Sequence, residues 1–304
     1  NRNGGWESDK YEWTSNPIAL AKYTDDTRSQ YTTFGNVFAE YDILNDHSLK
    51  FKSNLGVDLN LYHNKAFYRN FGDDDGAGSN LDKGTGRQNR PTSLSEERGE
   101  DFTMTWNNTL NYNKMLDKHS INAVVGTEYI KNYASSIGAS RKRFDYINDN
   151  FRYLDNGHSD IDLWNSGSGS EWALMSLFAS ATYVYDSKYM LTANFRADES
   201  SRFAKKNRWG YFPSLSAGWK LSEESFFKDV NWLSDLKVRG SWGQLGNQEI
   251  DNYAFMTLLK KDGDKYVVSR YGNPDLKWET SEQANVGFDL GLFKNKIYLS
   301  VDYF

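Results

Sequence analysis

Residues 72–82 read Gly-Asp-Asp-Asp-Gly-Ala-Gly-Ser-Asn-Leu-Asp. Asp73, Asp74, Asp75 and Asp82 offer the hard carboxylate oxygens that Ca²⁺ takes. Their spacing departs from the Asp-x-Asp-x-Asp-Gly loop of an EF-hand, and a solvated loop explains the same composition. Beyond this weak Ca²⁺ candidate, no cofactor is expected. The four histidines, His47, His63, His119 and His158, are isolated, and none has a partner at metal-ligand spacing. The chain contains no cysteine, which removes thiolate metal sites, disulfides and cysteine nucleophiles. There is no Gly-x-Ser-x-Gly, His-Glu-x-x-His or Gly-rich phosphate loop. Carboxylates are plentiful, but no spacing selects a glycosidase pair. The expectation is that the protein is not an enzyme.

Binding chemistry is better represented. Trp6, Trp13, Tyr68, Phe71, Tyr153, Trp164 and Tyr271 lie outside the strand pattern described next. Sugar rings present apolar C–H faces that stack on such aromatics, while Asp, Asn and Arg bond the hydroxyls. The same side chains could instead pack against a partner protein, because Trp, Tyr and Arg concentrate at interfaces. Packing of the loops on one another is a third use for them.

The elements that must position these residues alternate with period two. In residues 49–61, Leu49, Phe51, Leu55, Val57, Leu59 and Leu61 share one face, with Ser53 among them. Lys50, Lys52, Asn54, Asp58 and Asn60 share the other. Such alternation signals a strand with one apolar and one wet face, and it outlasts the ~5–6 residues usual in soluble proteins. The pattern recurs in about ten stretches between residues 36 and 303. Tight turns are expected at 45–47, 114–118, 186–188 and 294–296, with one capped helical turn near Ser222. Long connections rich in Gly, Asn, Asp and Ser are expected near 63–101, 132–171, 199–210 and 244–279. Short turns at one end and long loops at the other are the habit of an outer-membrane β-barrel. A soluble β-sandwich explains period two equally well, but not the strand length or the loop asymmetry.

Composition agrees with this reading. Mean hydropathy is −0.77, and no apolar run of ~18 residues could form a transmembrane helix. The formal net charge is −5, which supplies no basic face for nucleic acid. Aromatics make up 16% of the chain, too many for a disordered chain of this polarity.

Three stretches carry a more specific signal. Residues 201–227 read Ser-Arg-Phe-Ala-Lys-Lys-Asn-Arg-Trp-Gly-Tyr-Phe-Pro-Ser-Leu-Ser-Ala-Gly-Trp-Lys-Leu-Ser-Glu-Glu-Ser-Phe-Phe. Residues 233–248 read Leu-Ser-Asp-Leu-Lys-Val-Arg-Gly-Ser-Trp-Gly-Gln-Leu-Gly-Asn-Gln, and residues 273–288 Asn-Pro-Asp-Leu-Lys-Trp-Glu-Thr-Ser-Glu-Gln-Ala-Asn-Val-Gly-Phe. In order and spacing they resemble the SusC/RagA-like TonB-dependent outer-membrane transporters of Bacteroidota. The resemblance implies an all-β, antiparallel transmembrane barrel of about 22 strands with a plugged lumen. About ten of those strands are expected here, in a partial barrel domain covering 1–304 without its plug. No TonB-contacting segment or signal peptide is expected within the chain. It reads as beginning in an extracellular loop and stopping within an ascending strand at Phe304.

The resemblance also implies partners: a SusD-like surface lipoprotein, the TonB complex acting through the plug, and outer-membrane lipids with lipopolysaccharide. Arg202, Lys205, Lys206 and Arg208 could then hold an anionic ligand or a lipopolysaccharide phosphate, or simply keep a strand end wet. On the polar face, Arg196, Asp198, Lys237, Arg239, Glu282 and Asp289 are candidate lumen or plug contacts, with a hydrated interior as the plainer use. The function expected is TonB-energised import of oligomeric nutrients, oligosaccharides ahead of peptides. The alternatives are a passive porin or structural barrel, and a soluble extracellular glycan-binding β-protein.

Overall fold

A computed structural model describes residues 21–69, 91–159, 163–227 and 230–304. Ten strands form one sheet in the order β1-β2-β3-β4-β5-β6-β7-β8-β11-β12. They are β1 Thr24–Asp42, β2 Leu49–Tyr68, β3 Ser93–Leu116, β4 His119–Lys142, β5 Trp164–Tyr185, β6 Tyr189–Ser200, β7 Trp209–Lys220, β8 Leu233–Asn247, β11 Glu279–Leu292 and β12 Ile297–Tyr303. A separate antiparallel hairpin, β9 Leu258–Asp262 and β10 Lys265–Arg270, lies in the connection from β8 to β11. The expected alternating stretches are the ten strands of the main sheet. The hairpin was not expected, because Leu-Leu-Lys-Lys-Asp and Lys-Tyr-Val-Val-Ser-Arg do not alternate.

The register explains the alternation. On β5–β6, Leu177 faces Ala197, Tyr183 faces Leu191 and Tyr185 faces Tyr189. On β6–β7, Leu191 faces Ala217 and Tyr189 faces Trp219. On β8–β11–β12, Val238 faces Phe288, which faces Val301. Apolar side chains therefore meet apolar side chains from strand to strand on one face. Thr182, Thr192, Ser216, Ser241 and Asn285 line up on the other. A slip of one residue would exchange the two faces, so the pattern pins the register.

The turns at 117–118 and 186–188 hold Asp117, Asp186 and Ser187 at positive φ. Mirror-image turns of this kind match the right-handed twist of the flanking strands. Lys188 N donates to Tyr185 O at 2.9 Å, closing the second. The helical turn expected near Ser222 is corrected: two short 3-10 turns, Leu221–Glu223 and Ser225–Phe227, stand there. Ser222 does not cap them, because its hydroxyl is bonded to Asp235 at 3.2 Å.

The strands run further than expected into three connections. β2 continues to Tyr68 and β3 starts at Ser93; β4 continues to Lys142 and β5 starts at Trp164. β8 continues to Asn247. Residues 93–101 read Ser-Leu-Ser-Glu-Glu-Arg-Gly-Glu-Asp, polar on both faces after Leu94, so they show no period two.

Contacts divide the chain into two compact units. Among the described residues, the first comprises 21–34, 58–69, 91–102, 133–159 and 163–170. Its core is Phe67, Leu94 and Phe144, with Ile147 and Leu154 against them. The Phe67 and Phe144 rings meet edge to face at 5.6 Å. The second comprises residues 35–57, 103–132 and 171–304. Its buried cluster is Leu174, Phe203, Phe212 and Trp278. Most other large apolar side chains of its strands, among them Phe51, Leu55, Leu177, Phe195 and Leu215, stay exposed. A regular apolar face left open in this way needs an apolar surround.

Candidate functional site

The polar face of the second unit is built from two arginine clusters. Arg196 on β6 points its Nε at both oxygens of Asp198, at 2.8 and 2.9 Å. Its Nη2 donates to Glu128 Oε1 on β4 at 3.0 Å and to Ser176 Oγ on β5 at 2.7 Å. Asp198 and Ser176 are buried, so the guanidinium supplies what their desolvated oxygens require. Arg239 on β8 binds Asp289 on β11 at 3.2 Å. It also reaches Asp302 and Ser300 on β12, at 2.9 and 3.2 Å. Ser300 Oγ donates to Asp289 Oδ1 at 2.7 Å. Between the clusters run hydroxyls and amides: Thr182 with Thr192 at 3.0 Å, and Asn194 Nδ2 with Ser214 Oγ at 3.0 Å.

Of the six candidates on this face, Arg196 joins Asp198 and Arg239 joins Asp289. Lys237 lies in register with Asp289 and Lys220. Glu282 is corrected. It sits two residues from Ala284, opposite Gln244, on the apolar face, where Trp242 Nε1 donates to it at 2.6 Å. Glu128, Ser176, Ser300 and Asp302 are the members that sequence reasoning did not single out. Each falls on the polar side of its own alternation, but only cross-strand register shows that Glu128 and Ser176 converge on Arg196, and Ser300 and Asp302 on Arg239.

The arrangement offers fixed charges and hydroxyls to a hydrated space. Both oxygens of Asp198 and both of Asp289 are taken by guanidinium N–H groups, so these carboxylates serve as structural acceptors.

The apolar face carries aromatic rows. Tyr185, Tyr189 and Trp219 stack at 6.2 and 6.1 Å beside the tight turns. Tyr189 Oη and Trp219 Nε1 both donate to Glu224 Oε1, at 2.6 and 3.1 Å. These two bonds, the tyrosine's first, hold the Glu224 carboxyl below its ordinary range. Nearer the other ends of β6 and β7, Phe195, Tyr211 and Trp209 stack at 6.4 Å intervals. Ring rows flanking an apolar band are how strands present amphipathic side chains to a lipid boundary.

The loop aromatics are distributed differently. Trp6, Trp13 and Phe71, and the Asp73, Asp74, Asp75 and Asp82 cluster, lie outside the described residues. In the first unit Tyr153 is exposed, with Lys65 Nζ over its ring at 5.0 Å, and Trp164, also exposed, is corrected to the first residue of β5. Tyr68 closes β2. In the second unit Tyr271 is among the most exposed side chains, at 83%. Among the described residues, no three His, Asp or Glu side chains are grouped to hold a metal ion.

The three distinctive stretches of sequence meet in one place. Trp278 packs against Phe203 and Phe212, at 5.4 and 5.2 Å between ring centres. Its Nε1 donates to Arg208 O at 2.7 Å. Asn207 Nδ2 donates to Leu276 O at 3.0 Å, and Lys206 pairs with Asp275. That ammonium draws the Asp275 carboxyl below its ordinary range. Arg202 Nη1 reaches Gln248 O at 3.5 Å. A Cβ on Gly246 would run into the Phe212 ring.

Residues 1–304 match the family described as TonB dependent receptor-like, beta-barrel. The chain belongs to that family. TonB-dependent receptor P3 of Formosa agariphila is 32% identical over 302 residues, covering 95% of this chain and 28% of the relative. TonB-dependent receptor SusC of Bacteroides thetaiotaomicron is 42% identical over 141 residues, covering 42% of this chain and 14% of SusC. Among solved structures, the RagAB peptide importer in its closed-closed state superposes with a TM-score of 0.81 at 28% identity. The match covers 94% of this chain and 30% of that one. The chain thus spans less than a third of the length of these relatives. The stretches that resemble SusC/RagA-like receptors build the Trp278 cluster, so this signature of the family marks architecture.

Proposed function

We propose that this chain forms part of the wall of an outer-membrane importer for oligomeric nutrients in a Bacteroidota-type envelope. One observation carries the reading: the register keeps apolar side chains on one face and hydroxyls, amides and arginine clusters on the other, in a member of the TonB-dependent receptor family. Lipid suits the first face and a hydrated lumen the second. Import would be driven by TonB through a plug, with a SusD-like lipoprotein closing the mouth. The arginine clusters would stiffen the wall and offer polar contacts to whatever fills the lumen. No covalent step is required.

Oligosaccharides are the first cargo class, because exposed rings such as Tyr153, Trp164 and Tyr271 suit sugar C–H faces. Peptides are the second, favoured by the similarity to a peptide importer.

Uptake of fluorescent oligosaccharides and peptides by cells with and without the intact gene tests both. Uptake that disappears with the gene, and equally with loss of TonB, is expected. Uptake that survives loss of TonB would make the barrel a passive pore. Recovery of the protein in the soluble fraction would favour the glycan-binding alternative.

A further inference from the structure

Within the first unit, two neighbouring strands fix the side to which a connection folds. Tyr62 Oη on β2 donates to Glu97 Oε1 on β3 at 3.2 Å, and one residue along, His63 Nε2 meets Glu96 Oε2 at 3.3 Å. Successive side chains leave a strand on opposite faces, so the two pairs mark the two sides of the sheet. Tyr62 shares its side with Asp58 and Asn60, the polar positions of β2. His63 shares its side with Leu61, and Glu96 with Phe102, apolar side chains that are both exposed. The same apolar side then carries Lys65 and Phe67 on β2 and Leu94 on β3.

Residues 143–158, which follow β4, lie on that side. Phe144 meets Phe67 edge to face, and Leu94, Ile147 and Leu154 complete the packing. Arg152 is held to β1 and β2: Lys65 Nζ donates to its carbonyl at 2.7 Å, its guanidinium lies over the Phe67 ring at 4.6 Å, and its Nη1 binds Asp25 at 2.6 Å. The segment therefore folds over the apolar side of the sheet and away from the polar one. It leaves rings uncovered. Tyr146 and Phe151 meet at 5.1 Å between ring centres and are 64% and 39% exposed, and Tyr153 is exposed beside them. Lys65 lies four residues beyond Leu61, about 13 Å along the strand. At the usual strand tilt that is roughly 10 Å in height above the apolar positions, the level at which lipid head groups begin.

We propose that residues 143–158 rest on the outer-leaflet lipid surface, with Tyr146, Phe151 and Tyr153 seated among the head groups. The inference depends on the reading above that the apolar face meets lipid, and names a second, loop-borne contact with the same membrane. Rings make this contact, since amphipathic aromatics favour the boundary of lipid and water. The charges nearby are spent on one another: Arg152 on Asp25 and Asp149, Lys65 on Glu96. Tyr153 then serves the membrane, and Trp164 and Tyr271 remain for cargo.

The experiment places single spin-labelled cysteines at Tyr146 and Phe151 in the full-length protein, freed of other cysteines and reconstituted in vesicles that contain a nickel-chelating lipid. Nickel held at the head groups is expected to speed relaxation of both labels, and to leave unchanged a label at Glu97 on the opposite side. The label at Tyr146 serves if the Phe151 variant does not fold. A label at Leu61, read by collision with oxygen, reports on the lipid reading itself. Lipid contact at Leu61 with no nickel effect at Tyr146 or Phe151 would overturn this inference alone. No lipid contact at Leu61 would overturn the lipid-facing reading and this inference with it. Spin–spin broadening between labelled copies at Phe151 would put a second copy of the protein on the rings and overturn the membrane assignment.

Discussion

Trp278 Nε1 donates to the backbone carbonyl of Arg208 at 2.7 Å, tying the residues just before β11 to the turn that precedes β7. The indole is 9% exposed, and its rings fill the space between Phe203 and Phe212. Trp278→Phe keeps the ring contacts and loses the donor, so it should cost about 1–3 kcal/mol. Trp278→Ala also opens a cavity, and about 3–5 kcal/mol is expected. Denaturant unfolding of the full-length protein in detergent reads both. A Trp278→Phe variant as stable as the wild type would show that the hydrogen bond has no share in the anchoring, and equal costs for the two variants that the ring packing has none.

This cluster shows what the sequence could and could not reveal. Period two placed ten strands and sorted their faces, because one face is apolar and the other polar at each step. It failed in residues 93–101, where both faces are polar after Leu94, and at the β9–β10 hairpin, where neither side alternates. The three distinctive stretches were visible as motifs. That Phe203, Phe212 and Trp278 touch was not, because their contact depends on how three connections fold back together. The same limit hid Glu128, Ser176, Ser300 and Asp302. Glu282 was placed on the wrong face by charge alone; its register with Gln244, beside Trp242 and Ala284, decides its side.

Arg196 and Asp198 should behave as a pair. Removing the guanidinium in Arg196→Met leaves the buried Asp198 carboxylate unmatched, at a cost of about 1–3 kcal/mol. Adding Asp198→Leu should recover a large part of that loss, since the unmatched charge is then gone. The double-mutant cycle is measured by unfolding. Simple additivity would mean that the two residues do not depend on each other.

The connection after β7 should sense acid. Glu224 titrates below its ordinary value of 4.5 because Tyr189 and Trp219 donate to it. A carboxyl depressed in the folded state contributes stability that is full above its unfolded value and fades as pH falls through the folded one. Unfolding midpoints should therefore fall more steeply below about pH 4.5 in the wild type than in Glu224→Gln. Identical acid limbs would show that the two bonds do not favour the charged form.

The apolar face should tolerate charge poorly. Leu55 lies on it and is exposed, whereas Asn54, on the polar face, accepts a bond from Asn36 Nδ2 at 2.8 Å. Leu55→Arg should cost roughly 2–4 kcal/mol more than Asn54→Arg if the position lies near a bilayer midplane. Refolding into vesicles compares them, and equal tolerance would contradict the facing.

The central claim is that one face of this sheet meets lipid and the other water. Residues 1–304 contain no cysteine, so single cysteines can be placed along β6 from Leu191 to Arg196 and spin-labelled in the full-length protein in membranes, with any cysteine outside these residues replaced first. Collision with oxygen, which concentrates in lipid, should peak at Leu191, Ala193 and Phe195. Collision with a water-soluble nickel complex should peak at Thr192, Asn194 and Arg196, out of phase by one residue. Uniform access to the nickel complex at all six positions would contradict the account.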